Sequence, residues 1–276
     1  MTDAPAGDAP ETTIASWNVN SVGARLPRVL DWFRDAAPDV CVLQEIKCVD
    51  EKFPSDAFED LGYDCHVFGQ KTYNGVALLT KHPVEEVTRG LPGFEDENSR
   101  YVEALVVPDG QDAIRVGGLY LPNGNPAPGP KYDYKLAWMA AFEAHVASLL
   151  PREEALVLLG DYNVIPHEGA VYDASRWTED ALFKIETRRA WRRLLNLGLY
   201  DALPRLMEDH AYYTFWDYQR GAWDKNNGLR IDHVVCSAQA TDRLTAGGVD
   251  ADVRDPDKGD ETCKPSDHVP VWVALS

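Results

Sequence analysis

Apolar residues along this chain fall into two kinds of run. Short stretches rich in β-branched and aromatic residues, at 13–17, 40–44, 63–68, 75–80, 101–107, 113–120, 155–160, 213–217, 232–237 and 269–275, have the length and composition of β-strands. Helical spacing recurs in fewer places: Leu26, Leu30 and Phe33; Leu136, Met139, Ala140 and Val146; Trp191, Leu194, Leu195 and Leu197. Strands follow one another in consecutive pairs (63–68 then 75–80; 101–107 then 113–120), whereas a doubly wound parallel sheet alternates strands strictly with helices. The order predicts a layered sandwich of mixed or antiparallel sheets covered by helices. A faint internal echo accompanies it, since Ile14-Ala15-Ser16-Trp17-Asn18 and Val157-Leu158-Leu159-Gly160-Asp161 are both apolar strands ending in a polar side chain.

No Gly/Ser-rich linker divides the 276 residues, which predicts one domain over 14–276, preceded by an acidic, Ala/Pro-rich tail at 1–13 expected to be disordered. That tail lacks the basic start and apolar core of a signal peptide. No apolar run approaches the roughly 18 residues of a membrane helix, so no membrane association is expected. The five cysteines are an odd number without a C-x-x-C pair, which argues against a disulfide framework or structural zinc and fits a reducing cytoplasm. The net charge of −18 opposes non-specific contact with phosphate polymers. A divalent cation inside an acidic pocket inverts that local sign, so the charge alone does not exclude phosphate chemistry.

Signals for dinucleotide binding, P-loop chemistry, serine hydrolysis and zincin chemistry are absent from the sequence. Acids and amides instead follow the predicted strands: Asn18 after the first, Glu45 after the second, Asp161 and Asn163 after a later one, then Asp232 and the Asp267-His268 pair. A single Asp after a strand is usually a loop or cap residue. Gathered on one rim, these side chains match a hard-cation phosphoesterase site, because Mg²⁺ takes oxygen ligands while spare carboxylates act as bases and an Asp-held His donates to phosphate. The acidic stretch from Asp250 to Glu261 departs from a calcium loop at its Gly position and is expected to be solvated. Arg188, Arg189, Arg192 and Arg193 around Trp191 are expected to form a solvated helix face, with phosphate contact as the alternative.

Ordered motifs now carry a resemblance. Pro38-Asp39-Val40-Cys41-Val42-Leu43-Gln44-Glu45-Ile46-Lys47, Gly69-Gln70-Lys71 before Gly75-Val76-Ala77-Leu78-Leu79-Thr80, Tyr120-Leu121-Pro122-Asn123-Gly124, Gly160-Asp161-Tyr162-Asn163, Asn226-Asn227-Gly228-Leu229-Arg230-Ile231-Asp232 with Ser237, and Lys264-Pro265-Ser266-Asp267-His268 resemble the exonuclease III family of class II abasic endonucleases, within the endonuclease/exonuclease/phosphatase superfamily. The resemblance runs from about Ile14 to Leu275 and implies an α/β, four-layer αββα sandwich of two mixed sheets. It implies Tyr120, Asp161, Asn163, Asp232 and His268 as catalytic residues. It likewise implies a Mg²⁺ (or Mn²⁺) site drawn from Asn18, Glu45, Asp161, Asn163, Asp267 and His268. Asp161 would deprotonate water, Glu45 would be the principal ligand, and His268, held by Asp232, would stabilise the phosphoryl group. Arg100, Asn123, Phe215, Trp216, Trp223 and Arg230 are implied substrate contacts; Trp223 is equally a core residue by composition. The implied reaction is 3′→5′ exonuclease action on duplex DNA, incision 5′ to abasic sites and 3′-end trimming, by a monomer.

The family's usual Asp-Ser/Thr-Phe-Arg is replaced by Asp201-Ala202-Leu203-Pro204-Arg205, and Cys41 stands at a usually aliphatic position. Inositol-polyphosphate phosphatases and sphingomyelinases share the metal-site framework, so other phosphoester substrates are the main alternative. A silent DNA-binding module is the other, and it would have lost at least one of these residues.

Overall fold

The computed structural model describes residues 11–207 and 212–276. Its strands, in chain order, are β1 Thr12–Asn18, β2 Val40–Gln44, β3 Asp64–Phe68, β4 Val76–Thr80, β5 Val84–Arg89, β6 Tyr101–Val106, β7 Ile114–Tyr120, β8 Ala155–Asp161, β9 Tyr200–Asp201, β10 Asp232–Cys236, β11 Leu244–Val249 and β12 Val271–Leu275. They form two six-stranded sheets, ordered β11-β12-β1-β2-β4-β3 and β5-β6-β7-β8-β10-β9. Alternation along the strands fills both faces. Ile14, Val40, Val42 and Leu78 point from the first sheet into a shared layer with Val102, Val116, Val157 and Val234 of the second. Each such buried aliphatic side chain contributes about 1.5–3 kcal/mol.

The outer faces are equally apolar and are covered by helices. α1 (Val22–Ala36) and α2 (Ser55–Glu59) set Trp32, Phe33 and Phe58 over Ala15, Trp17, Cys41 and Leu43. α3 (Pro130–Leu149) and α4 (Ile185–Leu195) set Trp138, Phe142 and Trp191 over Leu156, Leu158 and Val235. α5 (Leu203–Leu206) and α6 (Ala238–Thr241) are single turns. The result is the expected αββα sandwich. The faint repeat also has a structural counterpart: read from β11 or from β9, each sheet runs antiparallel, antiparallel, parallel, antiparallel, antiparallel.

Several expectations are corrected. Thr12 and Thr13 are not tail residues: they open β1 and pair with Leu275 and Ala274. Residues 1–10 lie outside those described. Segment 213–217 is not a strand but a bent loop whose only ladder contacts are isolated bridges from Phe215 to Leu229 and His268. β5, β9 and β11 were not anticipated. Asp250 is not simply solvated: it is half-buried, and its carboxylate accepts the indole N–H groups of Trp32 (2.7 Å) and Trp272 (3.0 Å). On α4, Trp191 is buried, Arg193 pairs with Glu143 of α3, and Arg188 stacks on Phe183. All five cysteines are free, and Cys41 is a packing residue of the outer layer.

Candidate active site

Each sheet contains one parallel pair, β1/β2 and β7/β8. The C-terminal ends of both pairs meet at one rim. Register sets the polar row: Tyr120 is paired with Asp161, and Asp161 with Asp232, so three functional side chains stand side by side at the end of the second sheet. The strand end there depends on glycine. At Gly160 (φ 154) a Cβ would stand 2.0 Å from the Leu119 carbonyl oxygen, closer than any side chain tolerates.

Asn18, fully buried at the end of β1, ties the two sheets together. Its Nδ2 donates to Glu45 Oε1 (2.9 Å) and to Asp161 Oδ2 (3.0 Å), while its Oδ1 accepts from the Asn20 N–H (3.0 Å). That backbone donor fixes the amide's orientation, so Asn18 presents nitrogen to the two carboxylates. In this arrangement the amide bridges Glu45 and Asp161 and orients both carboxylates. Glu45 (φ 51) also pairs with Lys47 at 2.8 Å. Burial opposes the charge on Glu45, but Lys47 and the Asn18 amide outweigh it and hold the carboxyl below its ordinary value. Asn20 bridges from Lys47 to Asp267, whose Oδ1 accepts the Asn20 amide at 3.0 Å. Glu45 and Asp267 are thereby braced through one Lys–Asn link.

His268 sits between two acids. Nδ1 faces Asp232 Oδ2 at 2.9 Å and Nε2 faces Asp161 Oδ2 at 3.7 Å. Thr214 Oγ1 donates to the same Asp232 oxygen, Oδ2, at 2.6 Å, and the Phe215 ring packs 4.8 Å from the imidazole. Asp161, Asp232 and His268 each bring a donor atom within 4.8 Å of the others, a set able to hold a metal ion. Burial disfavours the imidazolium, yet Asp232 and Asp161 overcome it and push the ring up to about 10. Asp161 is pushed up to about 7, chiefly by burial and by the nearby Asp232 and Glu45 carboxylates, against the pull of His268. Tyr120, half-buried and facing Glu45 and Asp161, has its phenol held well above the ordinary value by desolvation and those two carboxylates.

Asn163 (φ 48) closes the floor. Its backbone N–H donates to Asp161 Oδ1 (2.9 Å), its Nδ2 to the Leu121 carbonyl (2.9 Å), and its Oδ1 accepts from Asn123 (3.1 Å). Beneath it the fully buried Lys135 of α3 donates Nζ to the carbonyls of Asn163 (2.6 Å) and Asn123 (3.1 Å). Burial pulls that ammonium down to about 7. Glu45, Tyr120, Asn123, Asp161, Asn163, Phe215, Asp267 and His268 all line one cavity of about 270 Å³.

Other expected contacts fall outside this cavity. Trp216 is buried with its indole donating to Asn226 Oδ1 (3.1 Å), because the alternation of the bent loop turns Phe215 outward and Trp216 inward. Trp223 is half-buried, packs edge-on to Trp216 at 5.0 Å and lies against Arg254. Arg230 is buried and donates to Tyr212 and His167. Arg100 stacks on the Tyr120 ring at 4.8 Å and donates to its carbonyl, supporting Tyr120 from behind the cavity. Asn20, Lys47, Thr214, Lys135 and Trp177 were missed. Lys135 had a signal: it stands in the buried stripe Tyr132, Lys135, Trp138, Met139, Phe142, Val146, where an apolar residue belongs. A larger cavity of about 740 Å³ between α1 and β12 gathers no such set of groups.

The model of the endonuclease/exonuclease/phosphatase family matches residues 15–268. Exodeoxyribonuclease III of Haemophilus influenzae is 32% identical over 266 residues, covering 93% of this chain and 97% of the relative. The DNA repair nuclease APEX1 of Danio rerio is 32% identical, covering 98% of this chain and 84% of the relative. Among solved structures, the Neisseria 3′ phosphatase NExo bound to a product DNA hairpin superposes with a TM-score of 0.89 at 36% identity, covering 96% of this chain and 99% of that one. An AP endonuclease from Archaeoglobus fulgidus gives 0.88 at 30% identity, covering 96% and 99%.

Proposed function

The chain belongs to the endonuclease/exonuclease/phosphatase family, and from that premise we propose that it is a DNA-repair phosphodiesterase, a 3′→5′ exodeoxyribonuclease on duplex DNA that also incises 5′ to abasic sites and trims damaged 3′ ends. The observation that carries the reading is the row Tyr120–Asp161–Asp232 with His268 clamped between two of its acids, facing Glu45 and Asp267 across one cavity. Asp161 takes a proton from water, whose oxygen bonds to phosphorus while the bond to the 3′ oxygen breaks. That oxygen leaves as a hydroxyl, protonated by the phenol of Tyr120, and the phosphate stays on the 5′ side of the departing nucleotide. His268, kept protonated by Asp232, donates to a non-bridging oxygen as negative charge builds. Asn163 holds the water or a phosphate oxygen.

Glu45 and Asp267 would hold a divalent cation. The donor set fits, because hard carboxylate oxygens without sulfur suit Mg²⁺ first and Mn²⁺ next. Bound there, the ion offsets the charge that the phosphoryl group gains during attack. We read the protein as a monomer acting in the cytoplasm on double-stranded DNA; no helix among the described residues is long and apolar enough to cross a membrane. The test is a 5′-labelled duplex carrying one synthetic abasic site, incubated with Mg²⁺ and compared with Asp161→Asn and an EDTA control. Cleavage 5′ to the site that needs both the metal and Asp161 is expected. No cleavage of that duplex or of a recessed 3′ end across a salt series would overturn the reading in favour of inositol or lipid phosphoesters.

A further inference from the structure

Beside the catalytic cavity lies a second one of about 420 Å³, and Trp177, Phe215, Asp217 and Leu229 border both. We propose that this chamber is a subsite for the base of the departing nucleotide, so that it sets the balance between exonuclease and abasic-site activity. The inference rests on the nuclease reading above. In both reactions the leaving piece keeps the 5′-phosphate. At an abasic site it carries a bare sugar, whereas at an ordinary 3′ end it carries a base that must go somewhere.

The chamber has the chemistry to receive one. Tyr172, Trp177 and Phe215 give it aromatic walls, and every base has a π-face to stack on them. Asn227, half-buried in the wall, offers both a donor and an acceptor to a base edge. Arg220 and Lys225 are exposed in its lining, where they favour the phosphates of an incoming strand. The chamber adjoins the phosphate pocket along the edge formed by Trp177, Phe215, Asp217 and Leu229, so a nucleotide whose phosphate sits beside Phe215 has the chamber next to it. Such a base is taken out of the stack before reaction, at a cost that is smallest at a frayed or mismatched terminus.

The experiment uses the wild-type protein with Mg²⁺. Incision of the abasic duplex is inhibited with 2′-deoxynucleoside 5′-monophosphates and, separately, with 2-deoxyribose 5-phosphate. The nucleotides are expected to inhibit at concentrations about 10-fold lower or more, the gain from stacking one base. Equal inhibition by the bare sugar phosphate overturns the chamber while leaving the nuclease reading intact. In parallel, Asn227→Trp fills the chamber, and the ratio of mononucleotide release from a recessed 3′ end to incision at the abasic site is expected to fall about 10-fold. An unchanged ratio in a folded variant also overturns the proposal; if the variant does not fold, the wild-type inhibition decides alone. Failure of the wild type to cleave either DNA overturns the nuclease reading and the chamber with it.

Discussion

Lys135 and His268 are both buried cations, and their surroundings assign them different work. Lys135 meets two carbonyl oxygens, of Asn123 and Asn163, and among the described residues no carboxylate within bonding distance. Its job is geometric: it pins the two asparagine-bearing loops that frame Asp161. Replacing it with Met leaves both carbonyls without that donor, and displacement of catalytic groups by about 1 Å costs on the order of 100-fold in rate. Lys135→Met is therefore expected to lose about 100-fold in kcat on the abasic duplex with KM little changed, measured on protein shown to melt cooperatively. Wild-type kcat in that variant would remove Lys135 from the mechanism. His268 is instead an electrostatic device. Burial opposes its charge, and Asp232 and Asp161 together hold the ring up to about 10. A reaction that needs the imidazolium is fully supported below that value and declines as pH rises through it. Asp232→Asn removes one of the two charges, so the ring titrates lower and the alkaline limb of the kcat/KM profile moves to lower pH. A fall of about 100-fold or more at neutral pH accompanies it. An alkaline limb left in place would mean that His268 is not the required cation.

Across the second sheet, an ion cluster built on the buried Arg115 and Glu103 joins neighbouring elements away from the chemistry. Arg115 of β7 contacts Glu103 of β6 (3.0 Å), Glu86 of β5 (2.7 Å) and Glu154 just before β8, while Glu103 also meets Tyr101 and His145 of α3. Burial works against the Glu103 charge, but His145, Tyr101 and Arg115 prevail and its carboxyl stays below the ordinary value. A group depressed on folding contributes stability that is present above its unfolded pKa, near 4.3, and is lost as pH falls through the lower folded value. Thermal melting from pH 7 to pH 3 should show this loss. Glu103→Gln should flatten it and cost about 3 kcal/mol at neutral pH, since it strands part of the Arg115 charge. An unaltered acid limb in the variant would mean that other carboxylates carry the effect. The same sheet illustrates what the sequence makes legible. β7 and β8 were readable because Ile114–Tyr120 and Ala155–Asp161 are almost wholly buried, so their composition is mostly apolar, Arg115 and the terminal Asp161 apart. β5 was not, since its edge position exposes Glu85 and Glu86, and β11 hides behind Gly247 and Gly248. At the site, acids and amides following apolar strands were found because strand ends present them. Side chains whose direction depends on a bend were misread: Phe215 reaches the cavity and Trp216 one residue on does not, and Arg230 turns into the protein.

For the whole molecule, the charge of −18 and the local cations act over different distances, and ionic strength separates them. The Debye length is about 30 Å at 0.01 M salt and about 10 Å at 0.1 M. In dilute buffer an approaching duplex therefore feels the full anionic surface and is repelled, which slows encounter. Near 0.1 M the distant acids are screened, while Arg176, Arg220 and Lys225 around the chamber still reach the phosphates that touch them. At higher salt those contacts weaken too, through competition by counterions, with a logarithmic slope of about −0.9 for each phosphate neutralised. The two regimes oppose each other. Measured on the abasic duplex at fixed free Mg²⁺, kcat/KM should accordingly rise from about 0.01 M NaCl, pass through a maximum at a few tenths molar or below, and then fall with a slope near −3, one unit for each of these cations. Lys225→Gln should lower the descending slope by about one and leave the rising limb, which belongs to the remote acids, in place. A monotonic fall from the lowest salt would mean that the local basic surface dominates at every distance, and that the acidic balance of this chain has no part in how it meets DNA.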